Sequence, residues 1–249
     1  MNKTFRFALI PIGLCVIWQA VVSFSSVPSY ILPGPIMVLF ALKDNAELIL
    51  EHSFITFFEI IMGMLLGTIL GCLSAMLLIW FKPLRQWLMP ALVISQAIPV
   101  FALAPILVLW LGYGLASKVA MATLIIYFPV TSAFYDGLQQ TAKDWLDIAK
   151  VMGGKKVAIL YHIQIPAALP KLATGMRVAA AVAPIGAIVG EWVGSSKGLG
   201  FLMLHANARM QVDLMFAALF VIAVFAVLFY YVIDKSLARL TRWHHPHKV

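Results

Sequence analysis

The sequence predicts an all-α integral membrane protein with six transmembrane helices. Hydrophobic residues make up 63% and charged residues 11% of the 249-residue chain, whereas soluble domains carry roughly 25% charged residues. So few charges could not cover the apolar surface of a soluble fold of this size. One transmembrane domain over residues 1–249 accounts for the whole chain. Both cysteines lie inside apolar segments, so no disulfide framework is expected.

Six apolar segments are long enough to span a bilayer. They cover residues 7–24, 54–80, 87–111, 118–140, 171–193 and 214–233. Because Lys3 and Arg6 precede the first segment, a secretory signal peptide is the alternative to a retained span there, but no clear A-x-A cleavage site follows. The third segment contains Pro90, Pro99 and Pro105, and each proline is expected to remove a backbone hydrogen bond and bend its helix.

The distribution of basic residues predicts the orientation of these spans. Fourteen of the eighteen Lys and Arg residues fall on one side of the predicted bundle, and Lys43, Lys118, Lys197 and Arg209 fall on the other. By the positive-inside rule, the richer side is cytoplasmic, so both termini and the polar segment over residues 141–170 are predicted to lie inside the cell. The net charge of +8 is therefore an orientation signal, and no nucleic-acid partner is expected.

The polar segment over residues 141–170 is predicted to be a helical hairpin between the fourth and fifth spans. Apolar residues recur at i, i+3, i+4 and i+7 on one face of its first helix, namely Trp145, Ile148, Ala149 and Met152. Gly153 and the glycine after it are expected to end that helix. A second short helix over residues 155–162 follows, and Pro166 and Pro170 are expected to limit it.

This hairpin resembles the Glu-Ala-Ala loop in the inner-membrane permeases of binding-protein-dependent ABC importers. In that family the Glu-Ala-Ala triplet is followed after three residues by Gly, and after nine more by Ile, one residue and Leu-Pro. The same spacing here matches Asp147, Ile148, Ala149, Gly153, Ile163 and Pro166. Asp replaces Glu, Ile148 replaces the first Ala, and Ile165 replaces Leu, so charge and apolar character are retained.

The resemblance implies a type I ABC importer permease in the bacterial inner membrane. It implies a second copy of this chain, two cytoplasmic ATPase subunits that dock on the hairpin, and an extracytoplasmic substrate-binding protein. The sequence contains no G-x-x-x-x-G-K-[ST] motif, so ATP hydrolysis is expected in a partner subunit and this chain is not expected to be an enzyme. No catalytic, cofactor-binding or metal-ligating residues are predicted, since the tail histidines His244, His245 and His247 have no carboxylate or cysteine partner.

The implied cargo is a small organic solute. The whole chain resembles the nitrate, sulfonate and taurine branch of the family, and residues 190–217 are most similar to members assigned to thiamine pyrimidine precursors. A pyrimidine precursor is therefore the expected substrate, with alkanesulfonate, taurine or nitrate as the alternative. A secondary transporter and a membrane enzyme are further alternatives. They would require inverted repeats or a polar cluster at one membrane depth, and the sequence shows neither clearly.

Three residues are candidates for the transport pathway or its gate. Glu59 and Glu191 are ionisable groups at or near membrane depth, where such groups are functional candidates. The stretch from Val189 to Gly200 resembles a family stretch in which Glu precedes Gly-Leu-Gly. Glu191 is expected either to line the outer mouth of the pathway or close its gate, or to act as an interfacial carboxylate that pairs with Lys197 or caps backbone groups. Pro184 is expected to kink the fifth span.

Two further features predict local structure. In the second span, small residues recur every four positions, at Gly63, Gly67, Gly71 and Ala75, which predicts that another helix approaches closely along this ridge. Residues 194–212, after the fifth span, are too apolar to be fully solvated and are expected to contain a short helix.

Overall fold

Helices account for most of the computed structural model, which describes residues 3–25 and 27–244. Within these residues the α-helices are α1 (Lys3–Phe24), α2 (Pro35–Asp44), α3 (Ala46–Trp80), α4 (Lys82–Ala97), α5 (Val100–Leu111), α6 (Leu115–Gln139), α7 (Lys143–Val151), α8 (Lys156–Ile159), α9 (Ile165–Gly194), α10 (Leu199–Ala208) and α11 (Val212–Leu240). A single 3-10 turn, Arg242–His244, ends the described part.

The predicted all-α membrane fold is confirmed. Among the described residues, four helical stretches are long and apolar enough to cross a membrane: α3, α6, the continuous helix Lys156–Gly194, and α11. The first predicted span is α1, of 22 residues. The third is divided between α4 and α5, with extended backbone at Ile98 and Pro99. That break falls at only one of the three prolines in the segment, because Pro90 and Pro105 lie inside their helices.

The expectation that prolines limit the second helix of the hairpin was wrong. α8 continues through one wide π-helical turn, Leu160–Gln164, directly into α9. In that turn the Ile165 N–H donates to the carbonyl of Leu160, five residues back. The extra residue relieves the clash that the Pro166 ring would otherwise make with the carbonyl one turn earlier. Pro170 and Pro184 also lie inside α9.

The second predicted span also begins earlier than residue 54. α3 starts at Ala46, because residues 46–52 are mostly strong helix formers and Glu47 places negative charge in the first turn. The described helices form two compact units, and the single-domain organisation stays a prediction.

The first unit comprises the chain up to Thr56 and the segment Ser196–Val224. Here two side chains of α3 cap the N-terminus of α10. The Thr56 hydroxyl accepts a hydrogen bond from the Leu199 N–H at 2.7 Å, and His52 Nδ1 accepts one from the Gly198 N–H at 2.9 Å. These bonds satisfy N–H groups that have no partner within the helix. The short helix predicted in residues 194–212 is thereby confirmed.

The second unit comprises Phe57–Ser195 and Phe225–Val249, and α6 is its central helix. A Cβ added to Gly63 would lie 2.5 Å from Ala122 Cβ, and one added to Gly67 would lie 2.6 Å from Ile126 Cγ2. α9 approaches α6 equally closely, since a Cβ on Gly175 would lie 2.5 Å from that of Ala133. The close approach predicted from the small-residue ridge is confirmed.

We expect Gly67→Ala to destabilise the protein by about 1–3 kcal/mol, because the added methyl group overlaps Ile126 and neither helix can move without disturbing the core. Gly114→Ala is the matched control, since a Cβ there meets nothing within 4 Å. The midpoint of thermal unfolding in detergent measures the effect. Equal midpoints for the two variants would contradict the close contact between α3 and α6.

Candidate functional site

The hairpin presents an apolar helix face that the described chain does not cover. None of the residues of α7 is buried. Trp145 is 57% exposed, Ile148 60%, Val151 88% and Met152 82%. Four large apolar side chains at helical spacing, on a helix outside the apolar spans, form an exposed apolar patch of the kind that marks an interaction site.

Gly153 shapes the end of α7. Its φ of +79° lies in the left-handed region. The Gly153 N–H donates to the Lys150 carbonyl at 2.9 Å, and the Gly154 N–H donates to the Ala149 carbonyl at 2.8 Å. These two bonds form a Schellman motif, which satisfies the last carbonyls of the helix and turns the chain toward α8.

Four of the six residues matched to the Glu-Ala-Ala pattern line one groove of about 700 Å³: Ile148, Ala149, Ile163 and Pro166. Trp243, in the 3-10 turn after α11, lines the same groove, although no pattern in the sequence identifies it. Asp147 lies outside the groove and forms an exposed ion pair with Lys150 at 2.8 Å. Gly153 contributes to the hairpin through the turn that its backbone makes at the end of α7.

A buried charged cluster lies at the opposite end of α9. Lys118 Nζ of α6 lies 2.9 Å from Glu59 Oε1 of α3 and donates to Ser195 Oγ at 2.8 Å. The carboxyl group of Glu191, in α9, interacts with that of Glu59. Glu59 is 0%, Lys118 5% and Glu191 1% exposed. The cluster therefore joins three helices with two carboxyl groups and one ammonium, all removed from solvent.

The position of this cluster follows from helix packing. Glu59 lies one turn before Gly63, on the ridge that faces α6, and Lys118 lies one turn before Ala122, on the facing side of α6. Close packing of Gly63 against Ala122 therefore brings Glu59 and Lys118 together. From α9, Gly190 approaches so closely that a Cβ on it would lie 3.1 Å from Lys118 Cα. This approach places Glu191 beside the pair.

The structure brings together two of the three pathway candidates, Glu59 and Glu191. Pro184 is buried inside α9, almost two turns before Glu191. Lys197 Nζ lies 2.6 Å from Glu51 Oε1 on the surface, and the pairing of Glu191 with Lys197 stays a prediction. Lys118 was counted as a residue of the outer side, and its burial was missed. Its signal was its position at the first residue of an apolar span.

The tail histidines His245 and His247 lie outside the described residues. Over residues 3–25 and 27–244, no group of three His, Cys, Asp or Glu side chains is arranged to hold a metal ion.

Sequence comparison identifies the family. The family described as "Binding-protein-dependent transport system inner membrane component" matches residues 63–243, which include the charged-cluster residues Lys118 and Glu191 and the whole hairpin. The chain belongs to this family. It is therefore a membrane component of a binding-protein-dependent transport system, and the resemblance seen in the sequence is confirmed.

Individual permeases of this family align over almost the whole chain. A Haemophilus influenzae protein named "Probable ABC transporter permease protein" is 54% identical over 226 residues, 91% of this chain and 92% of that protein. The "Formylaminopyrimidine transport permease protein ThiX" of Halalkalibacterium halodurans is 37% identical and covers 92% of each chain. The "Riboflavin transport system permease protein RibX" of Chloroflexus aurantiacus is 34% identical, covering 92% of this chain and 87% of its own.

More distant matches agree on the family and the fold. The "Taurine transport system permease protein TauC" of Escherichia coli is 25% identical over 93% of this chain and 86% of its own. A chain of the MetNI methionine ABC transporter, solved in inward-facing conformations, superposes with a TM-score of 0.69 at 17% identity. The superposition covers 80% of this permease and 98% of that chain, and confirms the importer-permease fold.

We expect Lys118→Met to lower the free energy of unfolding by about 3–5 kcal/mol, because it leaves buried carboxyl groups without their cation. Adding Glu59→Gln to this variant should restore part of the loss, since it removes a charge from the same cluster. Lys197→Met is the matched control: it breaks a pair whose side chains are both 57% exposed, so little change is expected. Thermal unfolding of the purified permease measures all three. Equal losses for Lys118→Met and Lys197→Met would contradict a buried ionic cluster.

Proposed function

We propose that this permease is the membrane subunit of an ATP-driven importer, and that its hairpin is the docking surface for a cytoplasmic ATPase subunit. The observation that carries the proposal is the exposed apolar face of α7 beside the groove that contains Ile163, Pro166 and Trp243. A partner helix or groove that covers this face would remove four large apolar side chains from water, a strong driving force for association. Asp147, Ile148, Ala149 and Gly153 carry or shape this contact.

The continuous helix from Lys156 to Gly194 links the docking surface to the charged cluster. It has 39 residues, and at about 1.5 Å per residue it is roughly 60 Å long. Its first turns form the second helix of the hairpin, and Glu191 lies in its last turn. When ATP-driven closure moves the hairpin, this helix transmits the displacement to its far end, where the ion cluster joins α3, α6 and α9.

The remaining assembly is part of the same proposal. We infer that two copies of the chain enclose the solute pathway about a two-fold axis, each docking one ATPase subunit. Both termini and the hairpin face the cytoplasm, in agreement with the bias of basic residues. A substrate-binding protein delivers the solute at the outer end of the permease, where Glu59 and Glu191 control access to the pathway. Pro184 allows α9 to bend below that end.

The cargo that we propose is a pyrimidine precursor of thiamine. The resemblance of residues 190–217 supports it, as does the name of the ThiX relative at 37% identity. A sulfonate or taurine-type anion is the second candidate, supported by the more distant TauC relative at 25% identity.

We expect Gly153→Val to reduce both ATPase retention and ATP-driven uptake. A β-branched residue at a φ of +79° disfavours the turn by about 1–2 kcal/mol or more, and α7 would then be presented in a different direction. Gly153→Asn is the matched control, since asparagine tolerates this conformation. Co-purification of the ATPase and solute uptake into vesicles are measured together.

If Gly153→Val retains the ATPase and transports like Gly153→Asn, the hairpin is not the docking surface. Uptake by the purified permease without any ATPase subunit would instead identify a secondary transporter.

In the charged cluster, we expect Glu191→Gln to change the uptake rate by roughly 2- to 30-fold, because mutations that alter coupling between distant sites change its free energy by about 0.5–2 kcal/mol. The complex should still assemble. Glutamine keeps the size of the side chain and its ability to hydrogen-bond, but removes its charge from the contact with Glu59. Glu51→Gln, which alters a surface pair, serves as the control. An uptake curve identical to that of the unmodified protein would assign Glu191 a structural role only.

A further inference from the structure

We propose that a cavity beside the break between α4 and α5 is a binding site for an uncharged, single-ring nitrogen heterocycle on its way through the permease. The proposal rests on the proposed function and narrows its substrate class. The cavity lies within the second unit, among α4, α5 and α6, and its walls include Ala91, Ser95, Ile98, Met121 and Tyr127.

The break provides polar backbone groups inside an otherwise apolar segment. Ile98 (ψ 122°) and Pro99 (ψ 126°) are both extended. The last carbonyls of α4 and the first N–H groups of α5 therefore have no partner within their own helices. The exception is the Ala102 N–H, which donates to the Pro99 carbonyl at 2.8 Å. Non-helical backbone at membrane depth is tolerated only where it is covered by protein or lines a cavity that water or solute can enter. In transporters, such interrupted helices form solute sites.

The side chains of the cavity select against anions. Its lining residues are apolar except for two hydroxyl groups, and none carries a formal charge at neutral pH. The Ser95 hydroxyl donates to the Leu92 carbonyl at 2.7 Å, and the Tyr127 hydroxyl donates to Ser74 Oγ at 2.8 Å. With their protons engaged, both hydroxyl groups offer lone pairs to a solute. A sulfonate or nitrate group would lose its hydration without meeting a cationic side chain or a free hydroxyl proton, which leaves only the backbone N–H groups at the start of α5 as donors. The N–H groups of an uncharged, amino-substituted ring instead find hydroxyl and carbonyl acceptors here.

The size of the cavity limits the solute further. Its volume is about 260 Å³, slightly below the roughly 300–1,000 Å³ of pockets that hold drug-sized ligands. A single ring with small substituents fits this space, whereas a three-ring flavin belongs to the larger range. Charge and volume together therefore favour one of the cargo classes named for the relatives, the formylaminopyrimidine of ThiX, over the taurine of TauC and the riboflavin of RibX.

The test uses the complete transporter, with its ATPase and binding protein, in vesicles supplied with radiolabelled formylaminopyrimidine or radiolabelled taurine. Ala91→Phe fills the cavity from α4 and should lower formylaminopyrimidine uptake by about tenfold or more, while ATPase retention and ATP hydrolysis persist. Ser95→Ala should cause a smaller decrease, because it removes one acceptor. The matched control is Ala223→Phe, an exposed alanine on α11, which should transport normally.

Two results would overturn the site while leaving the importer function intact. The first is equal uptake by the Ala91→Phe and Ala223→Phe variants. The second is ATP-driven uptake of taurine, and not of formylaminopyrimidine, by the unmodified transporter. If the unmodified permease neither retains an ATPase nor requires ATP for uptake, the importer function itself fails, and the site that rests on it fails too.

Discussion

The structure depends on how closely α6 packs against α3 and α9. Helices in a membrane gain little from the hydrophobic effect, because lipid is as apolar as their side chains, so association depends on dispersion contacts and on polar groups that have no better partner. Gly63, Gly67 and Gly175 allow the backbones to approach to distances at which even one methyl group would overlap the neighbouring helix. The same registry determines where Glu59 meets Lys118. Close packing and the buried ion pair therefore depend on the same register between α3 and α6. A shift of one helical turn would leave the carboxyl group of Glu59 without its cation.

Under the proposed function, this dependence suits the cluster to a moving part. A buried ion pair contributes little net stability compared with a well-packed apolar core, but breaking it leaves an uncompensated charge. It therefore favours two discrete arrangements of the helices over a continuous range. The helix Lys156–Gly194 carries both the second part of the hairpin and Glu191, so under the proposed function a displacement of the hairpin would act directly on the packing that holds Glu59 and Lys118 together.

The sequence predicted the helical class, the small-residue ridge and the hairpin, because each depends on local periodicity or on a fixed spacing of residue types. It did not predict the partner of Glu59, because that contact depends on which helix lies against the ridge and in which register. Lys118 carried a signal, a lysine at the start of an apolar span, but the count of basic residues treated it as part of the outer side. The continuity of α8 and α9 was also missed, because one π-helical turn before Pro166 accommodates a ring that sequence rules treat as a helix stop. Trp243 joins the hairpin groove through tertiary packing alone, and no local pattern could identify it.

Proline has different consequences at different positions of this chain. The helix is broken at Pro99 but continues through Pro90, Pro105 and Pro184. A proline inside a helix leaves one carbonyl without its donor, and a neighbouring helix can shield or satisfy that group. At Ile98 and Pro99 two successive residues are extended, so several backbone groups lose their partners together, beside a cavity lined by Ser95 and Tyr127. An arrangement of this kind stabilises an empty apolar bundle less than a continuous helix would. The solute site that we propose at this break would use those polar groups.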